Sequence, residues 1–282
     1  MAGLIVRAPA KVNWALNVTG VRENGYHELD MLMQTVELHD TLSVERDDEV
    51  SLTCDRAELS TGEDNLVMRA ARALQRACGC RLGARMHLVK RIPSQAGLGG
   101  GSSDCAAALR ALNALWGLGV SDEGLREIGL TLGADVPFCL MGGLCRARGL
   151  GEVLEPLPAK ARRVLLVKPP QGLSTPQVFR TFDRLEKPRP ADVEAAAQAL
   201  CTGDDELLAH SARNMLTDAA VSLCPAVQET LDRLRGLGAV FCAMSGSGSA
   251  CLALFREGAF PEEEDLCRLP LYCFPTYTTP GD

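Results

Sequence analysis

The sequence predicts an α+β fold of two domains, each with its own hydrophobic core. Strand-like and helix-like segments alternate along all 282 residues, and a chain of this length forms one large domain or two of medium size. A proline-containing stretch at 156–160 separates two such mixed halves. We therefore expect an N-terminal domain over residues 1–155 and a C-terminal domain over residues 156–282.

The first half carries β-branched and alternating runs, helical periodicities and a glycine-punctuated stretch. The β-branched and alternating runs predict strands at 3–8, 12–20, 41–46, 50–54 and 84–92. Helical periodicity predicts helices from Asp64 to about Gly79, over 102–116 and over 121–132. Ser121 is the expected N-cap of the last helix, and Gly133 its expected end. Glycines at 142, 143, 149 and 151 then indicate a hairpin.

The second half begins with the apolar run RVLLVKP, which predicts a strand. Helical patterns follow at 176–185, 191–201, 204–215 and 225–235. Two short apolar segments flank Ser245–Ser249 and predict strands joined by a turn. The run LYCFPT predicts a last strand before the C-terminal tail.

Composition excludes several classes of protein. Hydrophobic residues make up 46% of the chain and charged residues 23%, as in ordinary globular proteins. The net charge of −7 argues against nucleic-acid binding. No apolar run is long enough to cross a bilayer, and the N-terminus lacks a signal pattern. We therefore expect a cytoplasmic protein with no nucleic-acid and no membrane partner. The twelve cysteines stand mostly alone in apolar runs, without zinc-site spacing, which predicts free thiols.

The most informative segment is IPSQAGLGGGSSD, at 92–104. Four glycines and two serines stand between a predicted strand and a predicted helix, where backbone N–H groups converge and the helix dipole adds positive potential. This pattern favours phosphate binding over a merely flexible connection. It is not a Walker A loop, because no Gly-Lys-Ser/Thr closes it. It is a poor dinucleotide fingerprint too, since Ser102 occupies the position of the third glycine.

Four shorter motifs carry candidate chemistry, and each has a simpler alternative. Lys11 lies in the apolar segment APAKVN and is suited to holding a carboxylate or phosphate; an exposed strand lysine is equally compatible. Asp135 is a candidate base for phosphoryl transfer or an ordinary turn aspartate. Ser245–Ser249 is a hairpin turn or a second set of N–H donors. Tyr26 and His27 are suited to binding a base or are plain loop residues.

Taken together and in this order, the motifs resemble those of the GHMP kinases. The resemblance rests on PAKVNWALNVTGVRENGYHEL, DNLVMRAARAL, IPSQAGLGGGSSD, LGADVPFCLMGG, KPPQGLST and SGSGSA, and covers roughly residues 5–255. It implies the two-domain GHMP kinase architecture, with a ribosomal protein S5 domain 2-like N-terminal half, a ferredoxin-like C-terminal half and the active site in the cleft between them. The segments are most similar to the branch that phosphorylates a cytidine-diphosphate conjugate of methylerythritol.

The resemblance also implies roles for individual residues. Asp135 would act as base toward the attacking hydroxyl, and Lys11 would keep Asp135 ionised and steady the phosphoryl group. The implied ATP contacts are Asn65, Leu66, Pro93, Ser94, Gln95, Ala96, Gly97, Leu98, Gly99, Gly100, Gly101, Ser102 and Ser103, with Mg²⁺ offsetting the phosphate charge through ligands that remain open. The implied substrate contacts are Asn13, Tyr26, His27 and Phe179.

Several alternatives remain open from the sequence. Another GHMP kinase, such as a mevalonate or homoserine kinase, is the nearest rival, although neither substrate has a base to stack on Tyr26 or Phe179. A catalytically silent nucleotide-binding protein is the rival from a different class, and the presence of both Lys11 and Asp135 weighs against it. The partner is expected to be a small molecule, and the chain either a monomer or a homodimer.

Overall fold

The computed structural model describes residues 3–186, 188–267, 269 and 271–280. The strands found there are β1 (Leu4–Val21), β2 (His27–Asp47), β3 (Val50–Cys54), β4 (Gly83–Val89), β5 (Leu144–Gly149), β6 (Val153–Leu157), β7 (Arg163–Lys168), β8 (Phe241–Met244), β9 (Cys251–Leu254) and β10 (Tyr272–Tyr277). The helices are α1 (Leu66–Cys78), α2 (Gly100–Trp116), α3 (Asp122–Leu130), α4 (Val136–Met141), α5 (Thr175–Phe182), α6 (Val193–Thr202), α7 (Asp205–Ser211), α8 (Thr217–Leu223), α9 (Ala226–Gly236) and α10 (Glu263–Cys267).

The chain divides into two units, and neither is one continuous stretch of sequence. The first unit contains residues up to Ala10, Leu38–Ile92 and Gly99–Met141. The second contains Lys11–Glu37, Pro93–Leu98 and the chain from Gly142 onward. Strands β1 and β2 and the segment around the glycines each contribute residues to both units.

The first unit combines a small sheet with a pair of packed helices. The C-terminal part of β2 pairs antiparallel with β4, which pairs parallel with β3. Helices α1 and α2 pack against each other through small buried residues, among them Ala70, Ala71 and Ala108. Alanines bring the two backbones close, and the core is completed by larger side chains such as Leu109 and Trp116.

The second unit contains a hairpin and a separate four-stranded sheet. The N-terminal part of β2 pairs with β5, and β5 pairs with β6 in the hairpin that the glycines predicted. The other sheet has the antiparallel order β10-β7-β9-β8. Numbered by their order along the chain, these four strands lie in the sheet in the order 4-1-3-2. With helices after the first and third strands, this is the expected ferredoxin-like β-α-β-β-α-β topology.

Local signals located the helix ends well. Asn65 caps α1 by accepting a hydrogen bond from the Val67 N–H, and Gly79 ends that helix with φ of +61°. Ser121 caps α3 as expected. The end of α3 was predicted too late, since the helix stops at Leu130 and the Thr131 hydroxyl donates to the Ile128 carbonyl. The backbone N–H of Gly133 still donates to the Gly129 carbonyl at 3.1 Å, so the glycine closes the last turn after the regular helix has ended.

Two long strands and three short helices differ from the expectation. Strand β1 is continuous where two strands were predicted, and β2 begins at His27 rather than at 41. The segment 31–36 of β2 is buried on both faces, so it lacks the alternation by which a strand is recognised. Helices α4, α8 and α10 are each no more than seven residues long, too short to show a helical period. No described helix combines the length and apolar character needed to span a bilayer.

Candidate active site

The glycine-rich segment forms a tight loop that ends at the N-terminus of α2. Gly97 has φ of +72°, and Gly99, with φ of +70°, is the N-cap residue of the helix. Gln95 also has a positive φ of 52°, alone among the described residues other than glycine. The first N–H groups of an α-helix have no intrahelical partner, and the dipole of this 17-residue helix favours an anion there. The local geometry therefore suits an anion, and phosphate binding at this loop stays a prediction.

In the second unit, the Ser245–Ser249 turn packs directly against this loop. The Ser245 hydroxyl donates to the Gly97 carbonyl at 3.0 Å, and the Ala250 N–H donates to the Ala96 carbonyl at 3.0 Å. The contact leaves no room for a side chain, because a Cβ on Gly97 would lie 2.0 Å from the Ser245 carbonyl oxygen. Two motifs that are far apart in sequence thus form one backbone surface.

The N-terminal lysine motif joins the same surface. The Lys11 N–H donates to the Leu98 carbonyl at 3.0 Å, and the Asn13 N–H donates to the Ser245 hydroxyl at 3.1 Å. The Lys11 side chain is only 5% exposed, and its Nζ donates to Asn13 Oδ1 at 2.7 Å. A Cβ on Gly246 would lie 3.2 Å from that Nζ. Three separate sequence motifs therefore converge around one buried ammonium group.

In the first unit, Asp135 lies beside the first turn of α2. It is half-buried and immediately precedes α4, where its carbonyl accepts the Cys139 N–H at 3.0 Å. A Cβ on Gly133, two residues earlier, would lie 3.7 Å from the Ser102 hydroxyl. The Ser103 hydroxyl donates to the Pro9 carbonyl at 2.6 Å. Asp135 belongs to the first unit and Lys11 to the second, and the predicted interaction between their side chains stays a prediction.

Asn65 and Leu66 lie at the start of α1, in the first unit. The Asn65 side chain accepts the Val67 N–H at 2.9 Å and donates to the Ser60 carbonyl at 2.7 Å, so it has a structural role as a cap. Leu66 contacts the glycine loop, because a Cβ on Gly101 would lie 3.4 Å from its Cδ1. The predicted contact of both residues with ATP stays a prediction.

Two of the predicted base-binding residues, His27 and Phe179, meet in the second unit. The rings of His27 and Phe179 stack with centroids 4.6 Å apart and planes inclined by 29°. His27 Nε2 lies 2.7 Å from Asp183 Oδ1, which fixes the imidazole from its other edge. The neighbouring Tyr26 is 63% exposed. Sequence reasoning missed Asp183, although its place one helical turn after Phe179 was a usable signal.

A further loop, residues 169–174, connects the glycine loop with the helix that carries Phe179. The Gln95 carbonyl accepts N–H groups from Leu173 at 3.2 Å and Ser249 at 3.3 Å. The Ser249 hydroxyl donates to the Gln171 carbonyl at 2.5 Å. A Cβ on Gly172 would lie 2.5 Å from the Gln95 Cβ, so the two residues touch closely. In the sequence this segment stood out only through its resemblance to the GHMP kinases, because no local pattern shows its contact with Gln95.

A buried ionic cluster beneath the glycine loop was also missed. The Lys90 ammonium bonds to the carboxylates of Asp40 and Asp104 in the first unit. Lys90 and Asp104 flank the glycine loop in sequence, and that spacing was a usable signal. Asp40 lies in the part of β2 that the sequence pattern did not reveal, and no local signal identifies it.

Acidic residues, histidines and cysteines form no group of three suited to a metal ion within the described ranges. The twelve cysteines are free, which confirms that prediction. Burial raises the pKa of Cys105, the residue after Asp104, to about 12. This thiol stays protonated near neutral pH and acts as a small apolar side chain.

Both halves of the chain match known families. Residues 65–143 match the family model of the GHMP kinases N terminal domain, and residues 196–265 that of the GHMP kinases C terminal. The 4-diphosphocytidyl-2-C-methyl-D-erythritol kinase of Pelotomaculum thermopropionicum is 46% identical over 253 residues, which cover 89% of this chain and 88% of the relative. The enzyme of the same name from Synechococcus sp. strain CC9605 is 45% identical, with 90% and 88% covered.

Solved structures agree with the sequence comparisons. A crystal structure of 4-(cytidine 5'-diphospho)-2C-methyl-D-erythritol kinase superposes with a TM-score of 0.80 at 37% identity, covering 98% of this chain and 100% of that one. Homoserine kinase from Cytophaga hutchinsonii has a TM-score of 0.74 at 20% identity, over 100% and 96% of the two chains, and shares the fold alone. The chain thus belongs to the GHMP kinases, and within them to the family of the 4-diphosphocytidyl-2-C-methyl-D-erythritol kinases.

Proposed function

We propose that this chain transfers the γ-phosphate of ATP to a hydroxyl of 4-diphosphocytidyl-2-C-methyl-D-erythritol and gives the 2-phosphate, a step of the methylerythritol phosphate route to isoprenoid precursors. The observation that carries the proposal is the convergence of the Lys11 segment, the glycine loop and the Ser245–Ser249 turn. A stacked His27–Phe179 pair in the same unit supplies a second, aromatic site. Together they suit a nucleotide donor and an acceptor that carries a base.

The glycine loop would bind the phosphates through backbone N–H groups from Ala96 to Ser103, with the positive end of the α2 dipole behind them. Lys11 supplies a positive charge at the same surface, and its bond to Asn13 holds the ammonium in place. We assign Lys11 to the transferring phosphoryl group and to keeping Asp135 ionised. Asp135 would then accept the proton of the attacking hydroxyl, since phosphoryl transfer depends on positioning and charge.

We propose Mg²⁺ as the companion of ATP, where it neutralises negative charge on the phosphate oxygens when bound. In such sites Mg²⁺ keeps several waters and takes only one or two protein oxygens, so a three-residue acidic cluster is not required. Ser102 is our candidate ligand, because its hydroxyl lies near the Asp135 turn whereas that of Ser103 donates to Pro9.

The acceptor specificity rests on the aromatic pair. The His27 and Phe179 rings stack on each other, so a further ring would stack on an outer face of this pair, and exposed Tyr26 is the neighbour of His27 in sequence. A cytosine ring would stack there, with Asn13 reaching the same substrate. Mevalonate and homoserine have no base, so they would leave this surface unused. Location in the cytoplasm and the choice between monomer and homodimer stay predictions.

The test offers the purified protein ATP and Mg²⁺ with each of three acceptors: the cytidyl conjugate, mevalonate and homoserine. ADP formation gives the rate, and ³¹P NMR of the product identifies the phosphorylated hydroxyl. The Asp135→Asn variant, purified in the same way, controls for contaminating kinases. We expect turnover of the cytidyl conjugate alone. Preferential phosphorylation of mevalonate or homoserine would overturn the proposed acceptor, and no ADP formation with any of the three acceptors would overturn the kinase assignment.

A further inference from the structure

Three charged side chains are buried together in the first unit. Asp40, Lys90 and Asp104 are 0%, 7% and 4% exposed. Lys90 Nζ donates to Asp104 Oδ2 at 2.6 Å and also bonds to Asp40 Oδ2. Burial by itself lowers the pKa of Lys90, but the carboxylates of Asp104 and Asp40 outweigh that effect and raise it. The lysine is therefore a cation between two acids.

The cluster connects the two ends of the glycine loop to one strand. Lys90 directly follows β4 and stands before the loop, whereas Asp104 lies in the first turns of α2, after the loop. Asp40 comes from β2, and its Oδ1 accepts the N–H groups of Arg91 and of Ile92, the latter at 2.8 Å. The backbone that enters the loop and the helix that leaves it are thus held by the same three charges.

Beyond the end of β4, the backbone N–H groups of residues 90–92 find their hydrogen-bond acceptors in carboxylates. Asp55 Oδ1 accepts the Lys90 N–H at 2.9 Å, so three successive N–H groups donate to aspartates. Gly100 packs closely on this segment, because a Cβ there would lie 3.1 Å from Ile92 Cγ2 and 3.5 Å from Lys90 Nζ. The first residue of α2 therefore packs against the Lys90 ammonium group.

A contribution to the stability of the fold does not by itself explain why three charged side chains are buried together. Burying two acids and one base costs desolvation free energy, and apolar side chains of similar volume are often at least as stabilising as a buried ion pair. Asp104 Oδ1 even has no hydrogen-bond partner among the described residues. The four glycines of the loop offer no side chains of their own by which its conformation could be fixed, so contacts at its two ends add to the backbone contacts that the Ser245–Ser249 turn makes with its middle.

We propose that Asp40, Lys90 and Asp104 are positioning residues that fix the glycine loop for the β- and γ-phosphates of ATP. The proposal rests on the nucleotide site proposed above and deepens it. The cluster acts through the loop, which would contact the phosphates and not the adenosine part of ATP. Its loss should therefore weaken the binding of the β- and γ-phosphates and leave the binding of adenosine unchanged.

The experiment measures by calorimetry the affinities for AMP, ADP and ATP, each with Mg²⁺, in wild type and variants. Lys90→Gln removes the cation, and Asp40→Asn replaces the carboxylate that holds the entering backbone. Asp47→Asn is the matched control, since Asp47 lies on the same strand and is exposed, pairs with Arg85 at 3.7 Å and accepts the neighbouring Asp48 N–H at 2.8 Å, a bond that asparagine can keep. Thermal unfolding of every variant is recorded alongside.

We expect the gain in affinity from AMP to ATP, which is the ratio of the two affinities, to fall by about tenfold or more in both cluster variants. The loss of one hydrogen bond to a charged phosphate changes the affinity by about that factor. AMP affinity should stay within about twofold of wild type, and Asp47→Asn should retain the whole gain. If the cluster variants only lower the melting temperature and keep the gain, the cluster is merely structural and the proposal is wrong.

Asp104→Asn keeps the test decisive should Lys90→Gln fail to fold, because asparagine has the shape of aspartate and still accepts a bond from Lys90. Its gain from AMP to ATP should fall by about threefold or more, and an unchanged gain would overturn the proposal. A wild-type protein that binds ATP no more tightly than AMP would instead overturn the proposed phosphate site itself. The two failures are therefore distinguishable.

Discussion

Replacing Gly97 by alanine tests whether the contact between the glycine loop and the Ser245–Ser249 turn holds the phosphate site in place. Gly97 has φ of +72°, a conformation that costs an L-residue about 1–2 kcal/mol. The new Cβ would also lie 2.0 Å from the Ser245 carbonyl oxygen and 3.0 Å from the Gly248 nitrogen, both backbone atoms. Relieving such overpacking typically costs about 1–3 kcal/mol. The free energy of unfolding should therefore fall by about 2–5 kcal/mol.

The same geometry gives an expected effect on catalysis. Since a real Cβ stays about 3 Å or more from such atoms, either the loop or the turn must move by about 1 Å. A displacement of about 1 Å in a positioning element costs about 10²-fold in rate. We therefore expect kcat/KM for ATP to fall by about 10²-fold, measured with the cytidyl acceptor at saturation.

Gly79→Ala is the matched control. Gly79 has φ of +61°, and a Cβ there would meet no atom within 4 Å. It should lose only the conformational cost of about 1–2 kcal/mol and keep its kinetics within about twofold. The two variants are compared by urea unfolding and steady-state kinetics. Equal stability losses, with kcat/KM of Gly97→Ala within about threefold of the control, would refute the reasoning.

Three further variants test individual assignments. Asp135→Asn should lower kcat by about 10²–10⁴-fold because an amide cannot accept the hydroxyl proton; near-normal turnover with an intact circular dichroism spectrum would remove Asp135 as the base. Phe179→Leu should raise the KM for the cytidyl acceptor by about 5- to 150-fold, as lost base stacking of about 1–3 kcal/mol implies, and leave the KM for ATP unchanged; equal changes in both would argue against a base at this surface. Burial raises the pKa of Asp104, so the folded chain binds that proton more tightly than the unfolded chain does. The free energy of unfolding should fall as the pH rises from about 4 through the raised pKa. Urea unfolding over that range should show a flatter pH dependence for Asp104→Asn, and an unchanged slope would contradict the assignment.

Local chemistry explains which parts of the fold were predictable. The cap at Ser121, the left-handed Gly79 and the glycines before α2 each act within a few residues of their own position, so the sequence shows them directly. The hairpin β5–β6 was predictable for the same reason. Segment 31–36 was not, because strands buried on both faces lose the alternation that identifies them.

The candidate site shows the limit of the same approach. The residue types suited to phosphate chemistry could be named, but the bond between Ser245 and Gly97 joins residues 148 positions apart. These residues meet because the segment 93–98 packs on the β8–β9 turn within the second unit, and no local pattern in the sequence encodes that contact. Asp40 illustrates the extreme case, since a single aspartate in an unrecognised strand carries no signal of its partnership with Lys90.

The close approach of Gly172 to Gln95 has an evolutionary consequence. A side chain at position 172 would occupy the space of the Gln95 Cβ and Oε1, both 2.5 Å from where its Cβ would lie. The two positions are therefore epistatic: a residue larger than glycine at 172 becomes tolerable only after position 95 has itself become glycine, because any other residue there keeps the Cβ at 2.5 Å. Among relatives, glycine at position 172 should accompany any residue other than glycine at position 95, and substitutions at these two positions should occur in a fixed order.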